Sequence, residues 1–182
     1  MSTAVRAVLN KIRRRFAASM AVRRARVDTQ ARLAGAPVKR VLVICYGNIY
    51  RSALLGRYLT DALQGIAEVR SAGFHPKTGR PCTERHVASA ARLGVNLQDH
   101  RSALVHKEDL EWADTIVLMD RHNWAALQEA GADARKYVWT GALSEGPVEV
   151  VDPYQLTDES ATAINERLLR SGRALAGIVR RN

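Results

Sequence analysis

The sequence has few cysteines and few aromatic residues, and it has no long apolar run. Cys45 and Cys82 are the two cysteines of the 182-residue chain. Two cysteines are too few for a disulfide-rich secreted scaffold or a four-cysteine zinc site, and they favour a reducing, cytoplasmic compartment. No run of about 18 apolar residues occurs, so no transmembrane helix is expected. The N-terminus also lacks the apolar core of a secretory signal peptide.

Acidic residues are nearly absent from the first forty positions. These positions contain eleven of the 28 basic residues and one of the 18 acidic residues, so residues 41–182 hold 17 of each. The net charge of +10 therefore lies in the first forty residues, which comprise an N-terminal extension predicted as residues 1–38 and the first two residues of the domain predicted from residue 39 to residue 182. Phe16 is the single aromatic residue among the first forty, which argues against base stacking, so nucleic acid is not an expected partner.

Short β-branched runs alternate with helical segments from residue 38 onward. The predicted strands are 38–45, 67–73, 114–120 and 136–139, and the predicted helices are 52–65, 83–94, 121–131 and 158–180. This alternation predicts an α/β fold, a three-layer sandwich around a four-stranded parallel sheet of the flavodoxin or Rossmann-like type. Ligands bind at the carboxyl ends of such strands, where residues 45–52, 71–73 and 119–120 are expected to meet.

The segment CYGNIYRS joins the first strand to the first helix of this domain. Its backbone N–H groups are expected to point inward at a helix N-terminus, which makes an oxyanion site. Cys45 at its start is expected to be a thiolate at neutral pH, which is the nucleophilic form. Arg51 can bind two phosphoryl oxygens, and Ser52 can donate to the sulfur. Each residue type suits phosphoryl transfer through a phosphocysteine.

The segment closely resembles the C-x-G-N-I-C-R-S-P signature of the low-molecular-weight protein tyrosine phosphatases. Four further motifs match in family order: Ser71-Ala72-Gly73, His100-Arg101, Met119-Asp120-Arg121-His122-Asn123 and Asp152-Pro153-Tyr154. The resemblance covers residues 39–182 and implies that they form the catalytic domain of a phosphotyrosine hydrolase.

The resemblance implies a role for each matching residue. Cys45 is the expected nucleophile, Arg51 binds the phosphate, and Asp152 is the general acid and then the general base. A proline after Asp152 fixes it at a loop edge, where it can protonate a leaving phenolate. Tyr154 is expected to pack against the substrate ring. The remaining implied residues are the phosphate cradle (Tyr46, Gly47, Asn48, Ile49, Tyr50 and Ser52) and two supporting residues (Ser71 and His100). No metal and no cofactor is expected.

One loop position departs from the family pattern, and two further features argue against related activities of the same fold. Tyr50 stands where the family often has a second, protective cysteine. Ile49 stands where the similar arginine phosphatases carry threonine, which disfavours that activity. Arsenate reductases of this fold need three cysteines, and the chain has two. The alternative from a different class is a catalytically weak phosphate-recognition module that is recruited through its basic helix.

The expected substrate is a tyrosine-phosphorylated protein, for which a bacterial tyrosine kinase is a candidate. Residues 4–22, if helical, carry an apolar stripe of Val5, Val8, Leu9, Ile12, Phe16 and Met20 beside basic faces. An anionic membrane surface is the candidate partner of residues 1–27, which would make the enzyme peripheral to a membrane. An organellar transit peptide, a helix docked on the domain, a solvated extension and a translation start at Met20 are the alternatives.

Overall fold

The computed structural model describes residues 3–181, and four parallel strands form its central sheet. The strands are β1 Arg40–Cys45, β2 Glu68–Gly73, β3 Thr115–Leu118 and β4 Tyr137–Trp139. The helices are α1 Thr3–Gly35, α2 Arg51–Ala62, α3 Glu84–Arg92, α4 Lys107–Trp112, α5 Arg121–Glu129 and α6 Asp158–Val179. The strand order is β2-β1-β3-β4. Met1, Ser2 and Asn182 belong to the predicted ranges but lie outside the described residues.

Strand β1 is buried on both faces, as expected for an inner strand of a parallel sheet. Val41 and Val43 point into one apolar cluster, which α2, α3 and α6 cover. Leu42 and Ile44 point into the other, which α1, α4 and α5 cover. These layers confirm the predicted three-layer α/β sandwich around a four-stranded parallel sheet.

The second half of α1 is packed against the edge of the sheet. Ala25 is fully buried in the same apolar cluster as Trp139 of β4. The Trp139 backbone N–H donates to Thr29 Oγ1 at 3.0 Å, so the helix satisfies an edge group of β4. Arg32 donates to the Asp114 carbonyl at 2.9 Å and to Thr115 Oγ1 at 2.6 Å. The helix is thus longer than the predicted 4–22, and its second half is docked on the domain.

Two truncations are expected to separate the halves of α1. Deleting residues 1–36 removes the buried Ala25 and Leu33 and exposes the edge of β4, so the thermal midpoint should fall by about 10 °C or more. Deleting residues 1–16 removes the exposed side chains of residues 5–16 and the exposed Arg14–Glu129 ion pair, which should change the midpoint by less than about 2 °C. Thermal unfolding followed by circular dichroism measures both. Equal midpoints for the two truncations would contradict the docking of residues 18–33.

Candidate active site

The loop after β1 lies at the carboxyl edge of the sheet, with Cys45 as the last residue of β1 and Arg51 as the first residue of α2. The loop passes directly over the end of β2. A Cβ atom on Gly73 would lie 2.5 Å from the Tyr46 carbonyl oxygen and 3.0 Å from the Asn48 nitrogen. Only glycine allows this approach, which explains the glycine at the end of the second strand.

The Cys45 sulfur lies within hydrogen-bonding distance of two groups of its own loop. The Asn48 backbone N–H donates to Sγ at 3.2 Å, and Ser52 Oγ lies 3.0 Å from Sγ. Asn48 Nδ2 donates to Ser52 Oγ at 2.9 Å, so the hydroxyl hydrogen of Ser52 is free to point at the sulfur or at the Ala72 carbonyl, 3.5 Å away. Hydrogen bonds of this kind stabilise negative charge on a sulfur atom.

Asn48 holds the loop through its side chain and its carbonyl. Its φ of 50° lies in the left-handed region, which asparagine tolerates better than most residues. Nδ2 also donates to Ser71 Oγ at 3.1 Å, and Oδ1 accepts from the Ala103 N–H at 2.8 Å. His100 Nε2 lies 2.7 Å from the Asn48 carbonyl. Burial lowers the pKa of His100, so the neutral ring donates this bond. The structure thus brings the predicted supporting residues Ser71 and His100 together around Asn48.

Arg51 is almost completely buried, and carboxylates surround its guanidinium group. Nη1 donates to Asp120 Oδ2 at 2.5 Å and to the Val150 carbonyl at 2.9 Å, and Nη2 donates to Asp152 Oδ2 at 2.7 Å. Burial opposes its charge, but attraction by Cys45, Asp152 and Asp120 outweighs burial and raises the pKa of Arg51. Within residues 3–181, the buried Nε–H has no acceptor. A buried donor of this kind can bind an acceptor atom of a ligand.

Asp120 is a residue of the site to which the sequence analysis gave no role. Its Oδ1 accepts from the N–H groups of His122 and Asn123, at 2.9 and 2.8 Å, and so caps α5. Its Oδ2 accepts from Arg51, so one carboxylate joins the helix N-terminus to the guanidinium group. The signal was present in the sequence, because Asp120 follows β3 at the edge where ligands bind.

A cavity of about 410 Å³ opens above Cys45. Asp152 lies in its wall and is 42% exposed in its side chain, and its Oδ1 accepts from the Tyr154 N–H at 3.1 Å. Tyr46, Ile49 and Tyr154 line the cavity too, which gives it an apolar and partly aromatic surface. The volume suits a small ligand or a single side chain. His75 and Arg80 also line it, and the sequence analysis did not assign them to the site.

Tyr50, which replaces the family's second cysteine, supports the cavity wall. Its hydroxyl lies 2.7 Å from Thr83 Oγ1, and its ring contacts the His86 ring at a centroid distance of 4.3 Å. The Tyr154 ring meets it edge-on at 5.8 Å. The substitution therefore exchanges a redox-active group for an aromatic contact between α3 and the loop that carries Asp152.

His86 is expected to make stability depend on pH. Burial lowers its pKa from 6.5 to about 4, so between these values the unfolded chain binds more protons than the folded chain. The contribution of the neutral, buried His86 to the free energy of unfolding is complete above pH 6.5, and it is lost as the pH falls toward 4. At pH 5 the free energy of unfolding should be lower than at pH 7 by about 2 kcal/mol. In urea titrations, His86→Phe should lose less unfolding free energy between pH 7 and pH 5 than wild type. The control is His122→Gln, a change at an exposed histidine, which should show the same loss as wild type.

Comparison with known proteins decides the family. A sequence model described as "Low molecular weight phosphotyrosine protein phosphatase" matches residues 40–182. The chain belongs to the low-molecular-weight phosphotyrosine protein phosphatase family. The match confirms the resemblance drawn from the loop motif, and with it the predicted enzyme class, a phosphoric monoester hydrolase.

Individual relatives of this phosphatase family agree with the match. The chain is 30% identical over 135 residues to the probable low molecular weight protein-tyrosine-phosphatase EpsP of Ralstonia nicotianae, covering 72% of this chain and 87% of that protein. The crystal structure of the Erwinia amylovora tyrosine phosphatase amsI superposes with a TM-score of 0.72 at 27% identity, covering 79% of this chain and 94% of that one. The YwlE arginine phosphatase of Geobacillus stearothermophilus shares the fold, with a TM-score of 0.71 at 23% identity and coverage of 79% and 94%.

Residues 3–181 contain neither a membrane-spanning helix nor a cluster of metal-binding side chains. No helix there combines the length and the apolar character needed to cross a bilayer. In the same part of the chain, no three His, Cys, Asp or Glu side chains converge in a way that could hold a metal ion.

Proposed function

We propose that the chain hydrolyses phosphotyrosine in proteins through a phosphocysteine intermediate. The observation that carries the proposal is a cysteine that lines the cavity together with a buried arginine at the other end of the same loop. The Cys45 sulfur accepts from Asn48 and lies 3.0 Å from Ser52 Oγ, and the buried Arg51 keeps an N–H with no acceptor in the described chain. A phosphoryl group would supply acceptors to the loop amides and to Arg51 at the same time.

The proposed reaction has two displacements at phosphorus. The Cys45 thiolate attacks the phosphoryl group, the bond from phosphorus to the tyrosine oxygen breaks, and Asp152 gives a proton to the departing phenolate. Water then attacks the phosphocysteine while the Asp152 carboxylate accepts its proton. The S–P bond breaks, which releases inorganic phosphate and restores the thiolate. Ser52 stabilises the sulfur as it leaves.

The ion pair between Arg51 and Asp152 couples phosphate binding to the proposed acid. Arg51 Nη2 donates to Asp152 Oδ2 at 2.7 Å. An incoming phosphoryl group competes for the same guanidinium fork and carries more negative charge. Its binding would release Asp152 from the pair and leave this carboxyl group available to the departing oxygen in the first displacement. Asp120 would keep its own bond to Arg51 and hold the guanidinium group in place.

The cavity walls favour an aromatic substrate over a phosphorylated arginine. Tyr46, Ile49 and Tyr154 offer ring faces and aliphatic surface, and Tyr46 and Tyr154 are more than half exposed. A tyrosine ring can stack against them while its phosphate reaches the loop. We therefore propose a tyrosine-phosphorylated protein as the substrate, in line with the protein-tyrosine-phosphatase names of the relatives. A bacterial tyrosine kinase remains the candidate from the family resemblance.

Hydrolysis of three matched phosphopeptides tests the proposed function. Peptides that contain phosphotyrosine, phosphoarginine or phosphoserine at one position are assayed for phosphate release, with and without a metal chelator. We expect turnover of the phosphotyrosine peptide to dominate and to be unaffected by the chelator. Faster hydrolysis of phosphoarginine would make the chain an arginine phosphatase. Binding of the peptides without turnover would support the phosphate-recognition module instead.

We further propose that the first half of α1 binds an anionic membrane surface. Residues 5–16 are exposed, and the apolar stripe includes Val8, Ile12 and Phe16, with exposed fractions of 58%, 59% and 68%. Residues 1–27 contain eight basic residues and no acidic residue. An apolar stripe flanked by cationic side chains fits the boundary between acyl chains and anionic headgroups. A second copy is a poorer partner for this stripe, because two helices of the same charge repel each other.

Vesicle sedimentation tests this membrane contact. The full chain is expected to bind vesicles that contain phosphatidylserine and not vesicles of phosphatidylcholine alone. Replacing Val8, Leu9, Ile12 and Phe16 by serine should abolish the binding, and high salt should weaken it. Replacing Asn10 and Ser19 by alanine is the matched control and should not reduce binding. The proposal would be contradicted if light scattering showed a dimer that the serine replacements abolish. Equal binding to both vesicle types would also contradict it.

A further inference from the structure

Arg80 lies at the rim of the active-site cavity, in the segment between β2 and α3. Its backbone N–H donates to Ser102 Oγ at 3.0 Å, which ties this part of the segment to the domain. Its guanidinium group is held by two backbone carbonyls: Nε donates to Lys77 O at 3.0 Å, and Nη2 donates to Gly47 O at 2.6 Å. The side chain is therefore fixed beside the phosphate loop, although it is partly exposed.

Within residues 3–181, Arg80 takes part in none of the ion pairs between side chains. Asp152, the acidic residue in the cavity wall, pairs with Arg51. Carbonyl acceptors orient Arg80 but leave its full positive charge at the mouth of the cavity. Lys77, close in sequence and exposed, adds a second positive charge to the same segment.

The position of Arg80 separates it from the phosphate-binding groups. The proposed groups are the loop amides and the buried Arg51, whereas Arg80 is partly exposed and donates to the Gly47 carbonyl of the loop. A phosphotyrosine that reaches Cys45 would bring its neighbouring residues to the rim. A carboxylate at the rim would meet a guanidinium group that is held in place and has further N–H groups available. Arginine commonly binds carboxylates through such N–H groups.

We propose that Arg80 is a specificity-determining residue that binds the carboxylate of an aspartate or glutamate next to the phosphotyrosine of the substrate. The inference rests on the proposed phosphotyrosine activity and adds a substrate class to it. Partial exposure limits the effect, so the expected preference is about five-fold in kcat/KM. Screening by salt should reduce it, because the contact is between charges at a wet rim.

Matched peptides test this preference. Two pairs of phosphotyrosine peptides differ by glutamate or glutamine, one pair directly before the phosphotyrosine and one pair directly after it. The measured quantity is the ratio of kcat/KM for glutamate over glutamine. In wild type we expect a ratio of about five for at least one pair, falling toward one at high salt. Arg80→Gln removes the charge and places an amide nitrogen where Nε donates to the Lys77 carbonyl, so its ratio should be close to one.

Two control variants distinguish binding from support of the loop. Arg80→Lys keeps the charge and should retain a ratio above one, and Lys77→Gln removes the neighbouring charge and should leave the ratio near the wild-type value. If kcat/KM of Arg80→Gln fell equally for the glutamate and the glutamine peptide, the ratio would be unchanged. That result would show that Arg80 only holds the loop. A wild-type ratio of one with rapid turnover would overturn the preference and leave the phosphotyrosine activity intact. Absence of turnover of every phosphotyrosine peptide would overturn the proposed function itself.

Discussion

Cys45→Ser is expected to lower phosphotyrosine turnover by on the order of 10⁴-fold or more while inorganic phosphate or vanadate still binds. A serine hydroxyl is a weak nucleophile in place of the thiolate, so the first displacement fails. The loop amides and Arg51 remain in place, and the affinity for an oxyanion should stay measurable. Turnover is followed by phosphate release, and binding by isothermal calorimetry. Retained turnover in this variant would exclude the phosphocysteine mechanism.

An Arg51 variant tests the other half of the site. Replacing Arg51 by alanine would leave Asp120 with no guanidinium partner in a nearly buried position, which threatens the fold. Arg51→Lys is the sharper test, since lysine keeps the charge but loses the two-pronged geometry. We expect both turnover and oxyanion affinity to fall in this variant, in contrast to Cys45→Ser. A thermal melt close to wild type is the control that the fold is intact.

Asp152→Asn is expected to slow hydrolysis according to the basicity of the leaving group. Asparagine keeps the shape but carries no proton to donate. The loss should reach about 10²–10⁴-fold for phosphotyrosine, whose phenol has a pKa of about 10. It should be much smaller for an activated phenol, which leaves readily as an anion. The measurement is the slope of log rate against leaving-group pKa, which we expect to be shallow in wild type and steep in the variant.

Asp120→Asn is the matched control for Asp152→Asn. Both changes remove a carboxylate that accepts from Arg51, but Asp120 caps α5 and does not line the cavity. The Asp120 variant should weaken the turnover of all substrates by a similar factor, with the wild-type slope retained. Uniform losses in Asp152→Asn as well would show that Asp152 only positions Arg51, and another group would have to act as the acid.

The fold was largely predictable because its strands and helices have strong local signals. The β-branched run before Cys45 and the apolar run before Asp120 are short, and turn residues or helical periods flank them. Helix α4 was missed because Lys107–Trp112 spans less than two turns and shows no period. The true length of α1 was also missed. Its second half buries small residues such as Ala25, so its buried face does not stand out in the sequence as a stripe of large apolar residues.

The sequence by itself determined the phosphate loop, since Cys45, Asn48, Arg51 and Ser52 lie within eight positions at one strand–helix junction. Their geometry follows from the local backbone, including the left-handed Asn48 and the start of α2. Only the tertiary structure decided which distant groups meet this loop. Asp152 reaches Arg51 across 101 positions, and Arg80 reaches the Gly47 carbonyl across 33. Such contacts depend on how the sheet and its helices pack, and no local pattern encodes the distance between two loops at the same sheet edge.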